Sequence, residues 1–177
     1  MASKELLIKL LKENDVIKYG NFILSSGKKS EYYIDIKKGI TNPKILKMIA
    51  VLINEKLQDD KIHRIAGPAL GAVPIAVAVS LESEIPFLMI RKGKKDYGTS
   101  KQIEGEINSG DNVVIVEDVT TTGASILKAI EAIESVGGIV KKIFVVVDRE
   151  EGALESFKSK NTEFIPLISV HEFIEKS

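Results

Sequence analysis

The fold of this chain is decided by the stretch Val113-Val114-Ile115-Val116-Glu117-Asp118-Val119-Thr120-Thr121-Thr122-Gly123-Ala124-Ser125. Its first four residues are all apolar, which is typical of a strand covered on both faces and hence of a parallel sheet wrapped by helices. Two adjacent carboxylates follow, and a Thr-Thr-Thr-Gly turn then leads into a helical pattern over 124–136. Because ligands of such sheets bind beyond the carboxyl ends of the strands, this turn is a candidate binding site.

The residues after this strand have the chemistry of a cradle for a ribose 5-phosphate. The start of a helix offers unpaired backbone N–H groups and a partial positive charge, which together hold a phosphate. The threonines and Ser125 can add hydroxyl donors, and Gly123 lets the backbone approach closely. Glu117 and Asp118 are expected at the rim, where carboxylates accept hydrogen bonds from ribose hydroxyls. The alternative is a threonine-capped helix with solvated acids, but capping explains only one threonine.

The rest of the chain alternates between short apolar runs and helical segments. Further strands are predicted over 64–66, 87–90, 143–147 and 164–168, and further helices over 73–81 and 154–157. Before them we expect a leucine-rich helix capped by Ser3, a hairpin over 21–36 with its turn at 27–29, and a helix opened by Asn42-Pro43. The sequence therefore predicts one α/β domain over 1–177, with an N-terminal helix and hairpin in 1–42 and a parallel-sheet core in 43–177.

Composition narrows the possible classes of protein. The 177 residues are 44% hydrophobic, enough for a compact core, and 25 Lys and Arg balance 25 Asp and Glu. A net charge of zero argues against a protein that coats nucleic acid or an anionic membrane. With no cysteine and only His63 and His171, we expect neither a thiolate nucleophile nor a Ser-His-Asp triad. No apolar run approaches the ~20 residues of a membrane helix, and the first residues do not resemble a signal peptide, so a cytoplasmic protein is expected.

Two common phosphate-binding motifs do not fit the sequence. The Gly-x-Gly-x-x-Gly fingerprint of dinucleotide-binding proteins is absent. Gly93 and Gly98 have the glycine spacing of a P-loop, but Thr99 stands where that loop needs lysine. Rossmann and ATPase interpretations are therefore excluded.

A strongly basic segment follows the predicted strand 87–90. Its sequence is Arg91-Lys92-Gly93-Lys94-Lys95-Asp96-Tyr97-Gly98-Thr99-Ser100-Lys101, with five positive charges against one negative charge. Taken alone, such a run is most simply a solvated face. Beside a cradle for a phosphoribosyl group it is also suited to be a mobile basic loop, which closes over a pyrophosphate leaving group, disperses its charge and excludes water.

Three segments resemble motifs of known families. Residues 117–125, with the strand before them, resemble the phosphoribosyl-pyrophosphate motif of the type I phosphoribosyltransferases. The basic loop is similar to the catalytic loop of the orotate phosphoribosyltransferases, Arg-Lys-x-x-Lys-Asp-x-Gly. Residues 22–35 resemble the N-terminal signature of that family, Phe-x-Leu-x-Ser-Gly-x-x-Ser-x-x-Tyr, although alone they indicate only a polar-tipped hairpin.

The resemblance implies a fold and a reaction. The fold would be that of a type I phosphoribosyltransferase, with residues 1–42 contributing a hood over the base. Orotate and phosphoribosyl pyrophosphate, with Mg²⁺, would give orotidine 5′-monophosphate and pyrophosphate, a step of pyrimidine nucleotide biosynthesis. The family also implies a homodimer in which the basic loop works across the interface and acts in trans, partly serving the partner's active site. Neither nucleic acid nor a membrane is expected as a partner.

The resemblance also assigns residues, position by position. Catalysis is assigned to Arg91, Lys92, Lys95 and Asp118. Binding of phosphoribosyl pyrophosphate is assigned to Arg91, Lys92, Lys95, Tyr97, Glu117, Asp118, Val119, Thr120, Thr121, Thr122, Gly123, Ala124 and Ser125. Orotate binding is assigned to Tyr33, Ile34, Thr121 and Arg149, and no residue is assigned as a metal ligand. For Arg149 the alternative is an exposed loop arginine paired with Glu150 or Glu151.

Other positions fit the family less closely. Residues 67–74 lie where the superfamily has its pyrophosphate loop, although a simple strand-to-helix connection also explains their glycines. Tyr97 stands where many members have histidine, and Ser25 and Gly71 stand where many bacterial relatives have lysine. Four lysines close by in sequence have no assigned role, namely Lys28, Lys29, Lys37 and Lys38.

Two other functions stay open at this stage. One is a phosphoribosyltransferase for another base, against which Arg149 argues because an arginine is the natural partner of a carboxylate. The other is a regulator that senses phosphoribosyl pyrophosphate without turning it over. The zero net charge argues against that regulator, since a DNA-binding protein carries a basic footprint.

Overall fold

A computed structural model of the chain describes residues 2–23, 27, 29–57, 61–93, 102–158 and 160–174. Its helices are α1 (Lys4–Glu13), α2 (Ile36–Ile40), α3 (Pro43–Glu55), α4 (Ala72–Ser83), α5 (Ala124–Glu134), α6 (Ala153–Phe157) and α7 (Val170–Ile174). Its strands are β1 (Ile17–Ile23), β2 (Lys29–Ile34), β3 (Arg64–Pro68), β4 (Phe87–Ile90), β5 (Ile103–Glu104), β6 (Asn112–Thr120), β7 (Ile139–Asp148) and β8 (Glu163–Ser169). Ser25, Lys28, Lys95 and Tyr97 lie outside the described residues.

Six of these strands form one sheet in the order β5-β4-β3-β6-β7-β8. The five longer strands run parallel, as the sequence predicts. β5 differs, because it pairs antiparallel with the end of β4 through Ile103 and Ile90. The sequence does not predict β5, since a strand of two residues is too short to show any periodicity.

Helices cover both faces of this sheet. One cluster of buried side chains packs α1, α3 and α4 on one face, and a second packs α5 and α6 on the other. On β6, Val114 and Val116 belong to the first cluster and Val113 and Ile115 to the second, as the two-residue period of a strand requires. β6 is therefore buried on both faces, which confirms the interpretation of its uninterrupted apolar run.

Local signals in the sequence define the helix ends. Ser3 Oγ accepts a hydrogen bond from Leu6 N at 3.2 Å and caps α1. Asn42 Oδ1 accepts from Lys44 N at 3.0 Å, and Pro43 occupies the first turn of α3. Gly137, with a φ of +85°, follows the end of α5 in the left-handed region that favours glycine. The predicted starts of α1 at Ser3 and of α3 at Asn42-Pro43 are confirmed.

The N-terminal hairpin is present, with different ends. β1 begins at Ile17 rather than Asn21, and β2 ends at Ile34 rather than Ile36. Asp35 Oδ1 accepts a hydrogen bond from Lys38 N at 3.1 Å, so Asp35 caps α2 instead of continuing the strand. The sequence does not predict α2, because a helix of five residues leaves too short an apolar pattern.

No helix among the residues described above is long and apolar enough to cross a bilayer. The division of the chain at residue 42 stays a prediction.

Candidate active site

Three loops meet at one edge of the sheet, beyond the carboxyl ends of β3, β6 and β7. The parallel pairing of β6 with β7 sets Thr120 beside Asp148, the last residue of each strand. Arg149 N then donates a hydrogen bond to Thr120 O at 3.0 Å. Residues distant in sequence are thus brought together at the edge where such sheets bind ligands.

The turn between β6 and α5 forms an open cradle. Gly123 has a φ of +81°, and a Cβ added there would lie 2.6 Å from the ring of Phe157. Ser156 Oγ donates to Thr122 O at 2.8 Å, so α6 supports the turn from behind. No side chain in the described part of the chain caps α5, and Ala124 is exposed. The first N–H groups of α5 are therefore available to an anion.

The three threonines of the segment lie in different environments. Thr122 is exposed and Thr121 is half-buried, so both can present a hydroxyl to a ligand. Thr120 is only 3% exposed, and its Oγ1 has no hydrogen-bond partner among the described residues. Thr120 is a strand residue rather than part of the predicted turn, because the pairing of β6 with β7 extends to it.

The two carboxylates are buried, which corrects their predicted position at the rim. Glu117 and Asp118 are each 6% exposed, because β6 continues past them to Thr120. Glu117 Oε1 accepts a hydrogen bond from Asp118 N, and Glu117 Oε2 accepts one from Ser125 Oγ, both at 3.2 Å. The hydroxyl of Ser125, which the sequence assigns to the phosphate, is directed to Glu117 here.

Burial changes the ionisation of this acid pair. Burial first, and then the negative charge of Asp118, raise the pKa of Glu117 to about 8. The hydrogen bond from Ser125 lowers it only in part. At neutral pH Glu117 therefore holds a proton, and the pair does not carry two full negative charges.

A cation from α2 reaches the same pair. Lys37 Nζ lies 3.0 Å from Asp118 Oδ2, and the side chain of Lys37 is 56% exposed. Burial lowers the pKa of Lys37, but the charge of Asp118, with smaller effects of Tyr33 and Glu117, raises it overall. Lys37 has no role that can be assigned from the sequence, because nothing in its spacing shows that α2 directs it toward β6.

Gly71 faces the same carboxylate from the loop after β3. A Cβ at position 71 would overlap Asp118 Oδ2 and lie 2.6 Å from its Cγ. At Gly67 a Cβ would lie 2.7 Å from Ala72 O. The glycines of this loop therefore allow a close approach of its backbone to β6, and no side chain fits at position 71 while Asp118 keeps its place.

The first residues of the basic loop lie beside the cradle. Arg91 pairs with Glu104 Oε1 at 3.2 Å through its guanidinium. Arg91 and Lys92 line a cavity of about 390 Å³ together with Ser125 and Lys128 of α5. The cavity connects the start of the basic loop to the start of α5.

Arg149 joins the core to the N-terminal hairpin. Its Nε pairs with Glu151 Oε1 at 2.9 Å, and its terminal nitrogen Nη2 donates to Ser30 Oγ at 3.2 Å. Its guanidinium carbon lies 4.7 Å from the centre of the Tyr32 ring, a cation–π distance. Arg149 is 7% exposed. The alternative of an exposed loop arginine is therefore wrong, although the pairing with Glu151 is found.

The two hairpin residues predicted to contact the base point in opposite directions. Tyr33 is 40% exposed and packs on Phe22, with ring centres 5.6 Å apart, whereas Ile34 is 6% exposed and belongs to the core. Ser30 and Tyr32 share the inner face with Ile34, since side chains alternate along a strand. Ser30 and Tyr32 are not among the residues predicted from the sequence, although the alternation of side chains along β2 is the signal that identifies them.

Comparisons with known proteins agree with this geometry. Residues 38–174 match the model of the phosphoribosyl transferase domain family. A protein from Methanosphaera stadtmanae named orotate phosphoribosyltransferase is 64% identical over 170 residues, which are 96% of this chain and 96% of that protein. This chain belongs to the orotate phosphoribosyltransferase family. The protein of the same name from Methanocaldococcus jannaschii is 57% identical over 97% of each chain.

Solved structures of the orotate phosphoribosyltransferase family share the fold. That from Aeropyrum pernix has a TM-score of 0.87 and 34% identity, covering 96% of this chain and 97% of that chain. That from Mycobacterium tuberculosis, in complex with 5-phospho-alpha-D-ribosyl 1-diphosphate, has a TM-score of 0.77 and 29% identity, covering 96% and 98%. The type I phosphoribosyltransferase fold expected from the sequence is thus confirmed.

The raised pKa of Glu117 predicts how stability depends on pH. The folded protein keeps a proton on Glu117 up to about pH 8, whereas the unfolded chain releases it above its ordinary pKa of 4.5. Between these values the folded state binds more protons, so the contribution of Glu117 to the free energy of unfolding falls as pH rises. Glu117→Gln should remove this loss, because glutamine does not titrate. Its free energy of unfolding, compared with that of the wild type, should therefore be about 1–3 kcal/mol more favourable at pH 8.5 than at pH 5.

Thermal unfolding followed by circular dichroism at pH 5, 7 and 8.5 measures this difference. Glu131→Gln, at an exposed position of α5, is the matched control and should follow the wild-type pH dependence. Parallel curves for Glu117→Gln and the wild type would show that Glu117 titrates normally in the folded protein.

The crowding at Gly71 predicts a variant that folds but binds poorly. In Gly71→Ala the carboxylate of Asp118 should rotate away from the added Cβ, at a cost in stability of about 1 kcal/mol or less. The affinity for phosphoribosyl pyrophosphate, measured by titration calorimetry, should fall about tenfold. If the displaced carboxylate is the cause, Gly71→Ala should have no further effect in an Asp118→Ala background. Additive losses would contradict this explanation.

Proposed function

We propose that this chain is an orotate phosphoribosyltransferase, which transfers ribose 5-phosphate from phosphoribosyl pyrophosphate to orotate. The products are orotidine 5′-monophosphate and pyrophosphate, in pyrimidine nucleotide biosynthesis. The observation that carries the proposal is the meeting of three features at one edge of the sheet. They are the open cradle at the start of α5, the buried acid pair and the guanidinium of Arg149.

The cradle and the acid pair would fix the two ends of the phosphoribosyl group. The 5-phosphate binds the N–H groups at the start of α5 and the hydroxyls of Thr121 and Thr122. The ribose hydroxyls bind Glu117 and Asp118, and the negative charge of Asp118 also favours the positive charge that develops on the ribose. Contacts remote from the reacting carbon thus position that carbon for transfer.

The basic loop would handle the leaving group. As the bond from the anomeric carbon to pyrophosphate breaks and the bond to the base nitrogen forms, that nitrogen gives up its proton. Negative charge moves onto pyrophosphate, whose oxygens are basic enough to take up the released proton. Arg91, Lys92 and Lys95 disperse that charge, and the loop excludes water. The position of Arg91 and Lys92, at the cavity beside the start of α5, supports this role.

Arg149 would select the base. A guanidinium is the preferred partner of a carboxylate, and orotate differs from uracil by its carboxylate. The contacts with Glu151 and Ser30 hold the fork in place and occupy only two of its nitrogens, which leaves donors for a ligand. Thr121 is half-buried and follows Thr120, whose carbonyl accepts the hydrogen bond from Arg149 N, and its hydroxyl would contact the base.

The residues present fit a Mg²⁺ ion that arrives with its substrate. Carboxylate oxygens are ligands that magnesium accepts, and it commonly binds one or two of them together with water and substrate phosphates. Across the described residues no group of three or more acidic or histidine side chains forms a metal cage. When bound, Mg²⁺ would neutralise charge on pyrophosphate, and Glu117 and Asp118 are the side chains placed to face it.

A homodimer would complete the site. Leu70, Val73 and Met89 line an open apolar cavity next to Arg91 and Lys92, and Leu70 is 73% exposed. α4, which begins beside this cavity, is apolar on most of its surface, as expected of a helix that becomes buried. A second copy of the chain seated there would bring its partner's basic loop to the interface, which supports action of that loop in trans.

The reaction predicts which base is consumed. On adding phosphoribosyl pyrophosphate and Mg²⁺, the absorbance of orotate should fall rapidly, whereas uracil, hypoxanthine and adenine in parallel should be unchanged. Arg149→Gln should raise the KM for orotate about 10- to 100-fold and leave the KM for phosphoribosyl pyrophosphate within about threefold. Loss of another base would favour a different transferase. Tight binding of phosphoribosyl pyrophosphate without loss of any base would favour the sensing regulator.

Action of the loop in trans predicts complementation between two inactive variants. Lys95→Ala and Asp118→Asn homodimers should each lose most of their turnover without unfolding. A heterodimer of the two variants can be co-expressed with a different affinity tag on each chain and purified on both tags. It has one fully intact site, because Lys95 of the Asp118→Asn chain serves Asp118 of the Lys95→Ala chain. Its activity should be about half that of the wild type. An inactive heterodimer would show that the loop acts in cis.

A further inference from the structure

Lys37 occupies an unusual position for a surface lysine. It lies in the first turn of α2, and its ammonium is 3.0 Å from Asp118 Oδ2, at the buried acid pair. The carboxylate is 8% exposed, whereas the lysine side chain is 56% exposed. Lys37 therefore approaches the acid pair from the solvent side, which is the side from which a substrate must enter.

The backbone around Lys37 holds it there. Ile36 and Ile40 are buried in the core at 1% and 6% exposure, and the Asp35 side chain caps the helix. Because these neighbours fix α2, only the lysine side chain itself can move between Asp118 and a ligand. The adjacent Lys38 points elsewhere, since its Nζ lies 3.7 Å from Asp15 Oδ2.

The loop opposite leaves room for such a cation and contributes none. Position 71 is glycine, and a Cβ there would overlap the Asp118 carboxylate. A polyanion at the acid pair would meet a buried negative charge on Asp118, and a protein cation between the two would relieve this repulsion in addition to Mg²⁺. Among the described residues, Lys37 has its ammonium within ion-pair distance of that carboxylate.

We propose that Lys37 binds the pyrophosphate group of phosphoribosyl pyrophosphate, bridging it to Asp118. An ammonium has three donors, and the ion pair with Asp118 uses at most one of them. The others, on a side chain that is more than half exposed, are free to take a phosphate oxygen. This inference rests on the proposed function for the identity of the substrate. It makes Lys37 a substrate-binding residue supplied by the N-terminal segment, separate from the basic loop.

Titration calorimetry with two probes tests this role without requiring turnover. The first probe is pyrophosphate with Mg²⁺, and the second is orotidine 5′-monophosphate, which has the ribose and 5-phosphate but no pyrophosphate. In Lys37→Met the Kd for pyrophosphate should rise about tenfold or more, while the Kd for orotidine 5′-monophosphate stays within about threefold. Lys37→Arg should restore most of the pyrophosphate affinity. Lys38→Met is the matched control and should bind both probes like the wild type.

The outcomes separate binding from positioning. Equal loss of affinity for both probes would mean that Lys37 only orients Asp118, which would overturn the proposal. Unchanged binding of pyrophosphate would also overturn it. If the wild type binds pyrophosphate but does not consume orotate, the proposed function fails while the pyrophosphate measurement still decides the role of Lys37. Circular dichroism of each variant checks that it is folded.

Discussion

Two adjacent carboxylates on the central strand constrain the structure around them. Glu117 and Asp118 are almost fully buried, where each unpaired charge would cost on the order of several kcal/mol. A proton on Glu117 removes one charge, and Lys37 opposes the other. Position 71 has to be glycine for Asp118 to keep its place. The same pair of side chains therefore constrains three elements that are distant in sequence, namely β6, α2 and the loop after β3.

Arg149 makes a second connection between core and hairpin. It follows β7, yet it contacts Ser30 and Tyr32 of β2, so the hairpin is docked on the same side chain that would receive the base. Glu151 holds the guanidinium from the other side. A carboxylate ligand would add to this cluster rather than replace it, because an arginine has five N–H donors. If Arg149 binds the base as proposed, docking of the hairpin and recognition of the base would be coupled through this one residue.

The sequence could predict what depends on local pattern and could not predict what depends on packing. Every strand except β5, the capped ends of α1 and α3 and the turn at Gly123 follow from periodicity and cap residues, and the structure has them. The rim position of Glu117 and Asp118 was wrong, because strand length depends on pairing with β7 rather than on the apolar run. α2, and with it Lys37, was missed, because five residues carry too little periodicity and their direction is set by burial of Ile36 and Ile40.

The residues of the site lie partly in the phosphoribosyl transferase domain and partly in the segment before it. The match to the phosphoribosyl transferase domain begins at residue 38, so it includes the cradle, the acid pair and Arg149. Three residues of the site precede it, namely Ser30, Tyr32 and Lys37. Ser30 and Tyr32 contact Arg149, and Lys37 contacts Asp118. The N-terminal segment therefore contacts two groups of the domain that are proposed to face different parts of the substrates, Arg149 at the base and Asp118 beside the ribose and pyrophosphate. Recognition of the base would then depend on both parts of the chain, because Arg149 lies in the domain and Ser30 of the preceding segment holds its guanidinium.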